Sequence, residues 1–266
     1  MLAMIPLHSF AVLAYKDSPF LPLCLDSLTR QTLKSEIYIS TSTPTPYIST
    51  IAANYEVEVV TTEPDHGIAH DWSFALRHAK TKYVTLAHQD DIYLPNYTER
   101  CVAASEKFSD TLICFTDYSE VTARDERRHT SMLNVKRLLL WSFMPVKKNI
   151  QSKFAKRLSQ SFGSSIPCPS VMYNIDMLSS FRFSGDYTIN MDWDAWLRMA
   201  DMIGTFVYVP QILLQHRIHS DSATSVGLGV HARQREDLEI FGRLWPKAIA
   251  AILARLYSRS YSSNEG

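Results

Sequence analysis

Glycine is scarce, with 8 in 266 residues, and no G-x-G-x-x-G or G-x-x-x-x-G-K-[ST] spacing occurs. Backbone cradles for dinucleotides or for P-loop phosphates need those glycines, so both enzyme classes are excluded. No G-x-S-x-G elbow is present, which removes the common hydrolase signature. The cysteines Cys24, Cys101, Cys114 and Cys168 form no C-x-x-C pair. A zinc ribbon or disulfide framework is therefore not expected, and reduced thiols are. No run approaches about 18 uninterrupted apolar residues, so no spanning helix is expected. No basic leader precedes an apolar stretch, and the expected location is the cytosol, free or peripheral on the inner face of a membrane. Charge of one sign is also missing: 27 Lys and Arg balance 27 Asp and Glu, so no overall field points to nucleic acid. That balance hides one asymmetry. From Arg127 to Arg157 there are nine basic residues and no acidic one.

What the sequence does contain is alternation of short apolar runs with helical periods. His8–Tyr15, Glu36–Thr41 and Glu56–Thr61 read as strands. Between them lie a helix started by Ser18-Pro19 and a short helix over 47–55. A helix over 68–79 carries Trp72, Ala75 and Leu76 on one face. A fourth strand, Lys82 to Ala87, runs into His88-Gln89-Asp90-Asp91, and a further strand covers Leu112–Tyr118. Strands and helices alternating in this way predict βαβ units and a mostly parallel α/β sheet flanked by helices. The C-terminal strand ends then share one edge, where such sheets place ligands. That edge would gather Tyr15, Thr41, Ser42, Glu63 and Asp90. Two adjacent carboxylates repel, so a cation or a ligand's donors would explain Asp90 and Asp91; a solvated turn is the plain alternative.

Beyond Val121 the pattern changes. Helices are expected over 132–143 and 149–161, both basic, and over 189–202 with Trp193, Trp196 and Leu197. A strand over 205–214 leads to a polar loop with His216, Arg217 and His219. A helix over 236–257, broken at Pro246, ends the chain before a polar tail.

Several pieces, in order, resemble the family-2 glycosyltransferases of GT-A fold. Phe10 to Lys16 followed by Leu23 to Thr32 resembles the first strand and its helix, ending in the Gln31-Thr32 signature. Gly67-Ile68-Ala69, Trp72 and Ala75-Leu76 resemble the segment before the metal strand, and Tyr83 to Asp91 the metal strand itself. Met191 to Leu197 resembles the acidic helix on the acceptor side, and His216-Arg217-Ile218-His219 the Arg-x-His loop. The resemblance runs from about Ser9 to Thr224. It implies a GT-A, Rossmann-like domain over 1–225, followed by a helical extension over 226–266. Within the domain, about 1–120 would be the nucleotide-sugar half. About 121–225 would be the acceptor half, with a basic helical insertion near 127–162.

The implied chemistry is hexosyltransferase-like and inverting, from a nucleoside-diphosphate sugar, a UDP-sugar first, to a carbohydrate or lipid-linked sugar acceptor. Polysaccharide or glycolipid synthesis would be its setting. Asp90 and Asp91 would hold a divalent metal, Mg or Mn. Asp192 would be the general base, with Asp194 in reserve. Helix residues two apart point about 200° apart, so only one of them can face the cleft. Tyr15, Thr41, Ser42, Asp90, Trp193, Asp194, Arg217 and His219 would touch substrate. Two departures stand out. Thr41-Ser42 takes the place of the acidic pair that relatives carry after the second strand, and His88-Gln89-Asp90 replaces D-x-D. His88 could ligate the metal or pack in the strand end. A non-catalytic nucleotide-sugar-binding protein is one alternative. A zinc-dependent amino-sugar deacetylase is another, on the likeness of Ala87-His88-Gln89-Asp90-Asp91 to Ala-His-Pro-Asp-Asp-Glu. The Leu138-Leu139-Leu140-Trp141 helix and the C-terminal apolar stripe, both flanked by cations, suit either packing on the domain or contact with an anionic membrane.

Overall fold

A computed structural model gives the architecture; it describes residues 6–64, 66–144, 146–218 and 230–258. The chain opens with β1 (His8–Leu13), α1 (Leu21–Thr29), β2 (Glu36–Thr41), α2 (Pro46–Asn54), β3 (Glu58–Thr61), α3 (Ile68–His78) and β4 (Tyr83–His88). It continues through β5 (Ile92–Tyr93), α4 (Tyr97–Ser105), β6 (Thr111–Val121), β7 (Glu126–Arg127), α5 (Ser131–Phe143), β8 (Asn149–Ile150) and α6 (Lys153–Ser159). It closes with β9 (Met172–Asn174), α7 (Ile175–Leu178), α8 (Met191–Ala200), β10 (Thr205–Arg217), α9 (Val230–Leu244) and α10 (Lys247–Ser258).

Among the described residues ten strands form one sheet, its main path running β3-β2-β1-β4-β9-β6-β10-β5. The first four are parallel, as right-handed βαβ connections require. The three-residue β9 then enters antiparallel to both β4 and β6, and β6 pairs in parallel with β10. One apolar cluster holds residues of α3 and α8 against the sheet, and the other holds residues of α1, α2 and α4. A third cluster joins α8 to the C-terminal helices through Trp193, Leu197, Ile240, Phe241 and Ala250.

Three boundaries differ from the sequence expectation. Helix α1 begins at Leu21 rather than at Pro19, with Pro22 in its first turn, where no intrahelical N–H is needed. Ser18 makes the turn before it: its carbonyl accepts from Leu21 N at 3.2 Å. In the second basic segment, Asn149–Ile150 pairs antiparallel with β10, and the helix starts only at Lys153, where Ser152 Oγ caps Ala155 N. Strand β10 extends through His216 and Arg217, which sequence placed in a loop.

Two polar devices fix the frame beneath the ligand edge. The buried Gln31 donates to Leu94 O at 2.9 Å and accepts from Thr98 N at 3.0 Å, tying α1 to the segment after β5. Its neighbour Thr32 donates its amide to Pro95 O. His8, also fully buried, sits between Ser35 Oγ and Thr85 Oγ1, each at 2.9 Å, and burial depresses its pKa to about 3. Both sets follow from the rule that buried polar atoms must find partners.

Candidate active site

The site is built around Asp91, at the turn that follows β4. Its side chain is 0% exposed. Oδ1 accepts from His216 Nδ1 at 2.9 Å and from Arg217 N at 3.0 Å, both at the end of β10. Burial by itself would raise this carboxyl. The charge and hydrogen bond of His216, then His88 and the Arg217 amide, outweigh it and hold the group below the usual carboxylate range. His216 moves the complementary way. Burial opposes its charge, but Asp91 prevails and raises the ring's pKa. The second oxygen, Oδ2, is buried with no hydrogen-bond partner, as is His88 Nε2. Oδ2 lies 4.0 Å from His88 Nδ1.

His88, Asp90 and Asp91 each offer one ligand atom, and those atoms lie within 4.8 Å of one another. A carboxylate pair with one imidazole suits Mn or Mg, and the orphaned Asp91 Oδ2 is the lone pair such an ion would satisfy. The residues present therefore fit a divalent cation. His88 also lies 5.4 Å, ring to ring, from Trp72, which is the packing at the strand end that the sequence offered as one of its two readings. Gln89 has a different task. Its amide brackets the backbone of Tyr15, accepting from Tyr15 N at 3.2 Å and donating to Tyr15 O at 3.0 Å. That clamp joins the ends of β1 and β4 and leaves Tyr15 57% exposed. Arg217 donates Nε to Asp90 O at 3.0 Å, and its guanidinium lies 4.5 Å from the Phe20 ring centre.

At the end of β2 the hydroxyls are already engaged. Thr41 Oγ1 accepts from Thr43 N, and Ser42 Oγ donates to Asp71 Oδ2 at 2.7 Å. Asp71 thus brings a carboxylate from the first turn of α3 to the edge where sequence found only hydroxyls. Its Oδ1 is buried without a hydrogen-bond donor, with His70 Nδ1 3.8 Å away. Sequence reasoning missed it; an Asp four residues beyond Gly67, opening a helix that faces β2, is the signal that could have found it.

Asp192 opens α8 and is partly exposed. Its Oδ1 accepts from Trp193 N at 2.7 Å. Burial raises its pKa, partly offset by that amide and by the charges of Lys136, Arg233 and His88. The Cys168 thiol, raised first by burial, is raised further by the negative charges of Asp192 and Asp91. Asp194 stands elsewhere. It is buried and held between Arg198 Nε at 2.7 Å and Arg243 Nη1 at 2.6 Å. Trp193 is 0% exposed, donates Nε1 to Gln160 O and packs its ring 5.0 Å from Phe241. Both side chains serve the α8–α9 interface. His219 lies outside the described residues.

Two further residues had no sequence signal. Glu236 on α9 accepts from the amides of Thr188, Ile189 and Asn190, each at 2.9 Å, and so fixes the loop that delivers Asp192. Lys136 on α5 donates to Tyr118 Oη at 3.2 Å, and its charge counts among those that offset the burial of Asp192. Helical periodicity reveals which face is apolar, not which distant loop a charge on it will hold.

The family model described as glycosyl transferase family 2 matches residues 9–178, from β1 through α7. An uncharacterized glycosyltransferase of Rickettsia prowazekii is 24% identical over 241 residues, covering 88% of this chain and 70% of the relative. Among solved structures, the mannosyltransferase PcManGT from Pyrobaculum calidifontis, in complex with GDP-Man and Mn2+, superposes with a TM-score of 0.62 at 16% identity. That likeness covers 96% of this chain and 70% of that one. S. aureus TarS 1-349, in complex with UDP, gives a TM-score of 0.59 at 13% identity, over 93% and 69% of the two chains. At those identities the likeness shows a shared GT-A fold. The family match ends before Asp192 and the β10 end, so their roles rest on the geometry above.

If His216 orients Asp91 for a cation, the His216→Ala variant should bind Mn2+ about 10–100-fold more weakly, the usual effect of removing an outer partner of a ligand. Isothermal titration with Mn2+ measures this, and a Kd within twofold of wild type would remove His216 from that role.

Proposed function

The chain belongs to glycosyl transferase family 2, and on that premise we propose that it carries a sugar from a nucleoside-diphosphate sugar, a UDP-sugar first, to a hydroxyl of a carbohydrate or lipid-linked sugar acceptor. The observation that carries this reading is the cluster of His88, Asp90 and the buried Asp91, with Asp91 Oδ2 left without a hydrogen-bond partner and His88 close enough for its charge to act on Asp192. Asp91 is kept ionised by His216, while burial makes Asp192 a stronger base.

His88, Asp90 and Asp91 Oδ2 would hold Mg or Mn, which when bound supplies positive charge beside the diphosphate. Arg217, braced on Phe20, would add a fixed cation to the same anion. Tyr15 would lie against the nucleoside. Asp71 Oδ1, the orphaned acceptor beside Ser42, would take a donor from its base or ribose. Asp192 removes the proton of the acceptor hydroxyl. The freed oxygen lone pair forms the bond to the anomeric carbon, and the bond from that carbon to the diphosphate oxygen breaks. The electron pair leaves on the nucleoside diphosphate. One in-line displacement of this kind inverts the anomeric centre. The setting we infer is surface polysaccharide or glycolipid synthesis.

Peripheral contact with an anionic membrane belongs to the same proposal. No helix among the described residues is long and apolar enough to cross a membrane. Of the basic run, Lys156 is buried and donates to Met202 O and Gly204 O, and Arg157 pairs with Asp201. Exposed Leu138, Trp141, Val146 and Phe154 carry the surface reading instead, with Lys147 and Lys153 beside them. In flotation with anionic vesicles at low salt the protein should rise with the lipid, and recovery in the bottom fraction would remove this part.

Asp192→Asn should lower kcat by about a hundredfold or more with little change in donor KM. The wild-type rate should fall as pH drops through the raised pKa of Asp192, because the base must be deprotonated, and the variant should lose that acid limb. Steady-state transfer assays across pH check both, and undiminished turnover by the variant would discard Asp192 as the base. Asp71→Asn should bind UDP at least tenfold more weakly while binding pyrophosphate with Mn2+ unchanged. Equal UDP affinities in isothermal titration would show that Asp71 does not face the nucleoside.

A further inference from the structure

A groove of about 350 Å³ lies between α5, the loop after α6 and α10. Helix α5 lines it with Val135 and Leu139, the loop after α6 with Phe162, and α10 with Leu253 and Leu256. Its volume falls in the range of small-ligand sites, about 300–1,000 Å³. The walls are almost wholly apolar, and none of the lining side chains is acidic. One cation lines it, Lys136, next to Tyr257. Gly163 is needed there: its φ is +138°, and a Cβ would stand 2.7 Å from the Tyr257 ring, so the wall closes only without a side chain.

Lys136 links the groove to the reaction centre. Its ammonium bonds Tyr118 Oη at 3.2 Å, and the Tyr118 ring meets the His216 ring edge-on at 6.1 Å. Burial opposes the ammonium's charge, but Tyr118, Tyr257 and Asp192 together raise its pKa, so it stays charged. Beyond the groove's walls lie further exposed apolar side chains, Leu138 and Trp141 on α5 and Ile252 on α10. An apolar groove with an apolar rim and a single cation, itself bonded to the Tyr118 that meets His216, matches an amphiphile with an anionic head.

We propose that this groove binds the hydrocarbon chain of the acceptor, with an anionic group of its head, a phosphate by charge, beside Lys136 and its hydroxyl towards Asp192. This rests on the glycosyl-transfer reading and narrows it from a carbohydrate or lipid-linked acceptor to a lipid-anchored one. The occupant is a single chain drawn into the protein, which distinguishes it from adsorption of the outer surface to a bilayer.

Dodecyl phosphate below its micellar concentration is the probe, with inorganic phosphate and dodecyl maltoside as controls, read by isothermal titration on the full chain. The wild type should bind dodecyl phosphate at least tenfold more tightly than either control. Val135→Glu and Leu256→Glu, both at exposed lining positions and checked for folding by thermal melts, should each weaken that binding tenfold or more. Lys136→Met should remove the preference for dodecyl phosphate over dodecyl maltoside. Binding that survives both Glu variants, or a wild type that binds dodecyl phosphate no better than phosphate, overturns the proposal. A parallel titration of wild type with UDP and Mn2+ separates the two readings. UDP binding without dodecyl phosphate binding defeats only the groove, and the reverse defeats the nucleotide-sugar reading while leaving a lipid site.

Discussion

A carboxylate with no exposure to water is a costly thing to keep charged, and Asp91 is the point on which the candidate site depends. Stripping hydration from such an ion costs several kcal/mol unless partners replace it, and removing one partner of a buried pair costs about 3–5 kcal/mol. Here the partners come from the far end of the chain. His216 and the Arg217 amide both converge on Oδ1, so the end of β10 is locked to the turn after β4. The lock uses up one oxygen and aims the other. Because Oδ1 is fully occupied, Oδ2 is left facing His88 and Asp90 in a fixed direction. Orientation of a ligand by a second layer of hydrogen bonds is what gives a cation site its geometry before the cation arrives. Arg217 follows from the same lock, since its backbone is pinned by Asp91 and its Nε reaches the neighbouring Asp90 carbonyl.

The loop that leads into Asp192 is held by the C-terminal helices. Glu236 gathers three consecutive amides just before α8, and Asp237 takes the Asn190 side chain. Asp194 then ties α8 to Arg243 on α9. Four acidic residues close together in space divide the work: Glu236, Asp237 and Asp194 are structural, and Asp192 is left partly exposed with a raised pKa. Residues 230–258 therefore form part of the support of the site, packed through Trp193 and Phe241 rather than trailing from it. The groove between α5 and α10 is a by-product of that packing, since α10 reaches back far enough for Tyr257 to meet Gly163.

Much of the first half was legible because its signals are local. Strands β1 to β4 are short apolar runs, and the acidic cluster after β4 stands out against them. The Gln31-Thr32 pair was readable as a signature, and the structure gives its physical content as a brace between α1 and the segment following β5. The second half was less legible because its pairings are short or distant. β5 and β8 are two residues each and β9 three, too few to show any period. The helix drawn over 149–161 mistook a strand bridge and a Ser152 cap for one continuous turn pattern. Glu236 and Lys136 look like ordinary solvated charges in sequence. Their meaning depends on a loop 46 residues away in one case and on β6 in the other.

The departures at Thr41-Ser42 and at His88-Gln89 share one feature: each engages a neighbouring element through side-chain hydrogen bonds. With hydroxyls at the end of β2, a carboxylate arrives from α3, and Ser42 serves as the donor that positions Asp71. Between His88 and Asp90, the Gln89 amide supplies both a donor and an acceptor and can bracket a peptide unit, which a carboxylate cannot do. That bracket fixes Tyr15 beside Lys16, whose φ of +54° turns the chain sharply at the end of β1. A third adjacent carboxylate would add repulsion to Asp90 and Asp91, whereas the neutral Gln89 adds none and His88 adds a nitrogen ligand atom. Buried acceptors without hydrogen-bond partners thus remain at both places, Asp91 Oδ2 beside His88 and Asp71 Oδ1 at the start of α3.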